Sequence, residues 1–216
     1  GLIAYTFSAF VLASIGLEFV RGTRARRALG ASSWPGAFAS LVARNRRRYG
    51  GYVVHAAVVL LAVGIAGSSA YETVREQPLR PGETLEAAGY TLALRRVEER
   101  DGANATELRA VLGVRRGDDD LGALEAGKNR YDIEAQPVSN EVGIRSDLLT
   151  GEDLFVIADR FNADGSVYLK VLVKPLVNLI WLAGLVFVLG SLVTLWPDAR
   201  EQRRLLARYE LHPAEA

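Results

Sequence analysis

The chain has no cysteine and no methionine, and two histidines among its 216 residues. Without cysteine there is no disulfide, and no thiol to serve as nucleophile, metal ligand or redox carrier; any thiol chemistry must use a partner's cysteines. No acid occurs in residues 21–50. No basic stretch precedes the first apolar run and no small-residue cleavage site follows it, so that run is not expected to be a secretory signal peptide. The sequence opens inside an apolar run without an initiator methionine, and reads as the tail end of a longer protein. It shows neither an internal repeat nor a low-complexity segment.

What is present is divided sharply. Half of the residues are apolar and the net charge is +1, totals that suit a soluble domain, but the apolar residues are gathered into three runs with the charges between them. A run of about 18 or more apolar residues crosses the roughly 30 Å hydrocarbon layer as a helix. Residues 2–20 form such a run, interrupted by Glu18. Residues 52–70 form the second, with His55 inside it, and residues 176–196 the third, with Asn178. Three runs of this length in so short a chain leave too little protein to bury them, so the spacing predicts three transmembrane helices.

Orientation follows from the arginines. Arg21, Arg24, Arg26, Arg27, Arg44, Arg46, Arg47 and Arg48 lie between the first two runs, and Arg200, Arg203, Arg204 and Arg208 follow the third. Positive residues next to membrane helices stay in the cytoplasm. A nucleic-acid patch is the other reading of such a run; its position tight between two membrane helices argues against that. The predicted order is a first membrane helix (1–20), a cytoplasmic arginine-rich loop (21–50), a second membrane helix (51–71), a periplasmic domain (72–173), a third membrane helix (174–197) and a cytoplasmic tail (198–216).

The large outer segment carries more acids than bases, including Asp118, Asp119 and Asp120 in a row. Tyr90, Leu92 and Leu94 alternate with polar or small residues, as do Leu108, Ala110, Leu112 and Val114, and Val167, Leu169, Val171 and Val173. Period-two alternation bounded by turn residues reads as half-buried strands. Turns are expected at Asp101-Gly102, Arg116-Gly117-Asp118 and 162–165, and a short helical or turn piece at 145–149. The fold class is therefore a membrane protein with three transmembrane α-helices and a small antiparallel β-sandwich or barrel. The outer domain has no histidine and no acid pair on a defined surface; its charges read as a solvated face or a docking surface.

The residue that invites chemistry is His55. His212 lies in the polar tail and reads as solvated. An ionisable residue inside a membrane helix is costly and by default marks function. Gly51, Ala62 and Ala66, at i−4, i+7 and i+11, share its face, and small side chains there admit a flat macrocycle. Three readings follow from the residues alone: axial ligation of haem iron, a small-residue packing face for another helix, or proton or ion transfer.

The run Arg46-Arg-Arg-Tyr-Gly-Gly-Tyr-Val-Val-His55, followed by Gly64-Ile-Ala-Gly67-Ser68, resembles the late membrane segment of the CcmF/NrfE family, the haem lyase subunit of bacterial cytochrome c maturation. Pro81-Gly82-Glu83 with Tyr90, Lys128-Asn-Arg-Tyr131, Ile144-Arg-Ser-Asp-Leu148, and Lys174-Pro-Leu-Val-Asn-Leu-Ile-Trp181 with Gly184 and Gly190 resemble later family segments in the same order. The resemblance implies the C-terminal part of a larger protein. The family's tryptophan-rich segment and its two flanking histidines are not in this sequence; Trp34, Trp181 and Trp196 do not form it, and Trp196 reads as an interfacial anchor.

The resemblance further implies a b-type haem held between two membrane histidines, with His55 as one axial ligand (metal ligand) and the second outside this chain. Gly51 and Ala62 would then border the cofactor. His55 lies roughly 10 Å along the helix from Arg48, within reach of quinol, and Arg46 to Arg48 become candidates for the haem propionates. Implied partners are a haem chaperone, other maturation subunits, apocytochrome c and quinol, with no nucleic acid. The implied chemistry is thioether formation between haem and a Cys-x-x-Cys-His motif; whether the chain takes part as enzyme is open, and no residue of this fragment is expected to be catalytic alone. The alternative is a membrane-anchored scaffold with no haem of its own.

Overall fold

A computed structural model describes residues 1–132, 137–148, 150–196 and 207. The tail arginines and His212 lie outside the described residues. Two compact units are distinguished: residues 1–63 with the chain from 179 onward, and residues 64–178.

The first unit is helical. Helix α1 spans Leu2–Ala28, α2 Trp34–Arg44, α3 Arg46–Ala70 and α4 Asn178–Leu195. Of these, α1, α3 and α4 are by length and composition apolar enough to cross a membrane. The arginine-rich segment, expected as a loop, is mostly helical. Helix α1 runs on through Arg21 to Ala28, since arginine and alanine are strong helix formers. After a short break α2 starts where Ser33 caps it, its hydroxyl accepting from the Gly36 amide at 3.2 Å, with Pro35 in the first turn. One side of α2 buries Ala37 and Leu41, while Trp34 and Phe38 stay exposed. At the crossing of α3 and α4, a Cβ on Gly50 would fall 2.9 Å from the Gly190 carbonyl oxygen, so only glycine permits this approach.

The second unit is a β-sandwich. Its strands are β1 (Thr73–Leu79), β2 (Thr84–Ala87), β3 (Tyr90–Asp101), β4 (Ala105–Arg116), β5 (Asp119–Tyr131), β6 (Ser139–Glu141), β7 (Gly143–Asp147), β8 (Glu152–Phe161) and β9 (Val167–Pro175). One sheet has the order β1-β9-β8-β7 and the other β2-β3-β4-β5-β6, with antiparallel pairing throughout. The inward positions of both sheets, among them Leu92, Leu94, Leu112, Leu154, Leu169 and Val171, make one core. Hydrophobic alternation sets the register, because a one-residue slip would turn every one of these side chains to water.

Where the alternation breaks, the ladder is bulged. The pairing of β3 with β4 skips Arg95, so the inward phase passes from Leu94 to Val97, which packs on the core. The expected turns after β3, β4 and β8 are present. A further two-residue turn joins β2 to β3 at Ala88 and Gly89, with φ of 46° and 83°, the backbone twist that a tight hairpin requires. The helical or turn piece expected at 145–149 is corrected: Arg145 to Asp147 belong to β7, paired with β8. Its inward side carries Gly143, Arg145 and Asp147 while Ile144 faces out, so no apolar alternation marked it as a strand. Leu149 lies outside the described residues.

Candidate membrane histidine site

The site is built on the first half of α3. His55 projects from an exposed face of that helix, and its Nδ1–H donates to the carbonyl of Gly51 one turn earlier at 2.8 Å. The carbonyl can only accept, so this bond places a proton on Nδ1 and directs Nε2, the other ring nitrogen, away from the Gly51 carbonyl of the helix backbone. The same bond restrains the ring, as an orienting partner does for a metal-binding imidazole. A Cβ at Gly51 would meet nothing within 4 Å, so the space beside the ring is open.

That space is part of a groove of about 370 Å³ between α1 and α3, lined by Phe10, Ile15, Arg48, Gly51, Tyr52 and His55 among others. Its walls are largely hydrocarbon and aromatic. Ala62, expected on the same face, is exposed two turns further along but does not line the groove; Ala66 is half-buried. The structure thus brings His55 and Gly51 together and leaves Ala62 outside that cavity. Among the described residues no group of three or more His, Cys, Asp or Glu is arranged to hold a metal ion. His55 is thus a single nitrogen donor beside an apolar groove.

Charge is placed at one edge of the groove. Arg48 pairs with Glu18 of α1 at 2.5 Å, and its Nε donates to the Tyr52 hydroxyl at 3.0 Å. The guanidinium lies 5.9 Å from the Tyr49 ring centroid and 5.7 Å from that of Tyr52, while Phe19 packs on Phe38 and Tyr49 at 5.5 and 5.1 Å. Arg48, named from sequence as a candidate for a propionate, is thus already engaged by a carboxylate of the chain itself. Glu18 was visible only as a break in an apolar run; a single acid at one end of a span, with arginines starting the next, was the available signal for this pair.

The sandwich holds a second polar centre that sequence reasoning missed. Arg116, read only as the start of a turn, donates to the Tyr90 hydroxyl at 3.1 Å, Asp147 at 3.2 Å, Thr150 at 3.1 Å and Glu152 at 2.9 Å. It joins β4 of one sheet to β7 and β8 of the other, and stacks 4.9 Å from the Tyr90 ring centroid. Burial raises the Tyr90 phenol above its ordinary value, against the nearby Arg116 charge, so this hydroxyl stays protonated. At the opposite end, the Ser166 hydroxyl and amide, together with Arg80, lower Asp164 to about 2. These are bracing interactions within and between sheets.

Comparison with known proteins agrees with this architecture. Residues 70–175 match the family described as the CcmF C-terminal beta-sandwich. The chain is 27% identical over 190 residues to the cytochrome c-type biogenesis protein CcmF of Pseudomonas aeruginosa, covering 88% of this chain and 27% of that protein. It is 28% identical to CcmF of Escherichia coli over 73% of this chain and 24% of that protein. With the probable cytochrome c-type biogenesis protein NrfE of Escherichia coli it shares 25% over 73% of this chain and 28% of that protein. A solved structure of cytochrome c heme lyase CcmF superposes with a TM-score of 0.63 at 25% identity, over 86% of this chain and 34% of that one. The chain spans about a quarter of the length of these curated relatives. The membrane helices, the two-sheet sandwich and the order of motifs together show that this chain belongs to the CcmF family, as a C-terminal portion of it.

Proposed function

We propose that this chain is the C-terminal part of a cytochrome c haem lyase component, and that His55 is one of two axial ligands of a b-type haem held in the membrane. The observation that carries the reading is the state of the imidazole: Nδ1 is tied to the Gly51 carbonyl at 2.8 Å, and the ring borders an apolar groove. A neutral imidazole in hydrocarbon is expensive without a partner for each nitrogen, and a haem iron held at Nε2 would supply the missing one. When bound, such a haem supplies electrons that keep the reacting haem ferrous. Gly51 leaves room beside the ring, Phe10 and Ile15 exclude water, and Arg48 offers a carboxylate-binding guanidinium at the edge, where a propionate competes with Glu18. Quinol is the electron source consistent with a groove open to hydrocarbon.

In this reading the arginine-bearing ends of the helices face the cytoplasm and the sandwich faces the periplasm. The sandwich then docks the haem chaperone, other maturation subunits or apocytochrome c. The test uses the full-length protein. His55→Ala should lose the b haem and cytochrome c maturation together, and His55→Gly should recover part of the haem with added imidazole. Haem-to-protein ratio at equal protein level is the measurement; a full complement of six-coordinate haem in His55→Ala would make His55 a packing residue.

A further inference from the structure

The two sheets of the sandwich differ on their outer faces. The five-stranded sheet shows water a charged surface: Arg96, Glu98 and Arg100 of β3, Glu107 and Arg109 of β4 and Glu125 of β5 are joined there by ion pairs. That is the ordinary state of an outward sheet face. The four-stranded sheet departs from it. Val74 of β1 is registered with Leu172 of β9, Leu172 with Phe155 of β8, and Phe155 with Ile144 of β7. Leu154, Val156, Val171 and Val173 fill the core, so the alternate residues point outward and make one apolar row across all four strands. Ile157, two residues along β8, widens it. Ile144 is 54% exposed, and Val74, Leu172 and Phe155 are half-buried.

An apolar patch with a polar rim marks a binding surface, and here the rim specifies the occupant. On one side Lys170 pairs with Glu76 at 2.8 Å, one base to one acid. On the other, Lys174 stands opposite Asp153 in the ladder but pairs with Glu72 at 3.3 Å. Two carboxylates therefore share one ammonium. Asp153 is 3% exposed and its Oδ1 has no hydrogen-bond partner, which is costly for a carboxylate. A cation that took up Glu72 would release Lys174 to Asp153, so the occupant is apolar with a basic side chain at this rim. A bilayer surface does not fit: both rim lysines are already neutralised, and the surplus charge is negative, as are anionic headgroups.

A transient partner would leave the row in water and the carboxylate short of a donor at each departure, so the cover is resident. The chain spans about a quarter of the length of its CcmF relatives, which leaves the greater part of such a protein to supply it. We propose that this face of the four-stranded sheet is covered by a segment of the same polypeptide outside residues 1–216, apolar along the row and bearing a lysine or arginine beside Glu72. The inference is independent of the haem reading.

The test uses the full-length protein in nanodiscs, on a background without other cysteines. Ile144→Cys should be protected from a soluble maleimide, while Glu86→Cys, on the exposed outward side of β2, should be labelled fully. Labelling at position 144 reports how often the cover opens, so adding Glu72→Gln should speed it up to about fivefold, the worth of one surface ion pair. A photo-crosslinker at Ile144, whose exposure tolerates substitution, should join a peptide of the same polypeptide outside residues 1–216. Labelling of Ile144→Cys as fast as Glu86→Cys, no change with Glu72→Gln, or an adduct to lipid, to a separate subunit or to residues 197–216 would overturn the proposal.

Discussion

Leu112, Leu154 and Leu169 of the sandwich expose no surface, whereas Leu2, Leu185 and Leu195 of the helices are 82, 67 and 77% exposed. The side chain is the same; the solvent it is built for differs. In the sandwich, removing leucine from water drives folding at about 25 cal/mol per Å² of apolar area. In the helices the outward leucines meet lipid or other helices, so what specifies their packing is close backbone approach and polar pairing. Gly50 against Gly190 and Arg48 against Glu18 are those devices here. The sandwich carries its energy in its core, and the helical unit carries the proposed His55 site on an exposed face.

This contrast can be broken at several points. The largest expected effect is functional: His55→Ala should abolish haem retention while leaving the unfolding transition of the sandwich where it was. A shifted transition, followed by circular dichroism in the β region, would show that the two regions are energetically coupled. The sandwich expressed alone as residues 64–178 should fold as mostly β and bind no haem; stoichiometric haem binding there would put the chemistry in the wrong region.

Within that isolated sandwich, Leu112→Ala should cost about 3–4 kcal/mol in urea unfolding, the transfer loss plus a cavity. Leu185→Ala, in detergent-solubilised full-length protein, should move the thermal midpoint hardly at all, since the side chain leaves no cavity. Equal losses at the two sites would contradict the division drawn here. Arg116→Ala should cost the sandwich about 2 kcal/mol, because Glu152 and Asp147 lose a half-buried charged donor; Arg116→Lys should restore part of it, having one donor centre in place of a fork.

The smallest effect concerns pH. Asp164 is held at about 2, below the ordinary carboxylate value near 4. A depressed value means stability that is present above the unfolded value and lost as pH falls through the folded one. The difference between the wild type and Asp164→Asn should therefore shrink as pH drops from about 4 towards 2. The group is exposed, so solvent screening keeps the difference small even at neutral pH. A difference that grew on acidification would remove the Ser166 and Arg80 interactions as its cause.

Much of this architecture was legible in the residues, for identifiable reasons. The strands at Tyr90, Leu108 and Val167 showed themselves because each has one apolar and one polar face. Strand β8 did not: Leu154, Val156 and Ala158 face inward while Phe155 and Ile157 are half-buried on the other side, so apolar residues occupy both faces and the alternation vanishes. Strand β5 was masked by its opening acids and by the register shift beside Leu121, which pairs Val114 with Gly122 and Arg115 with Asp120. At the site, His55 stood out because a lone ionisable group in hydrocarbon is costly, and Gly51 followed from helical spacing.

Run length alone determined the three membrane spans, because hydrocarbon accepts only a backbone that satisfies its own polar groups. Period-two alternation alone determined the inward faces of β3, β4 and β9. Only the tertiary structure decided the partners of Arg48 and Arg116. Glu18 lies 30 residues from Arg48, and Glu152 lies 36 residues from Arg116; no period or local propensity links positions so far apart. The same holds for the groove beside His55. A cavity is the space left between helices after packing, and its shape depends on helix crossings, which local sequence rules cannot pair.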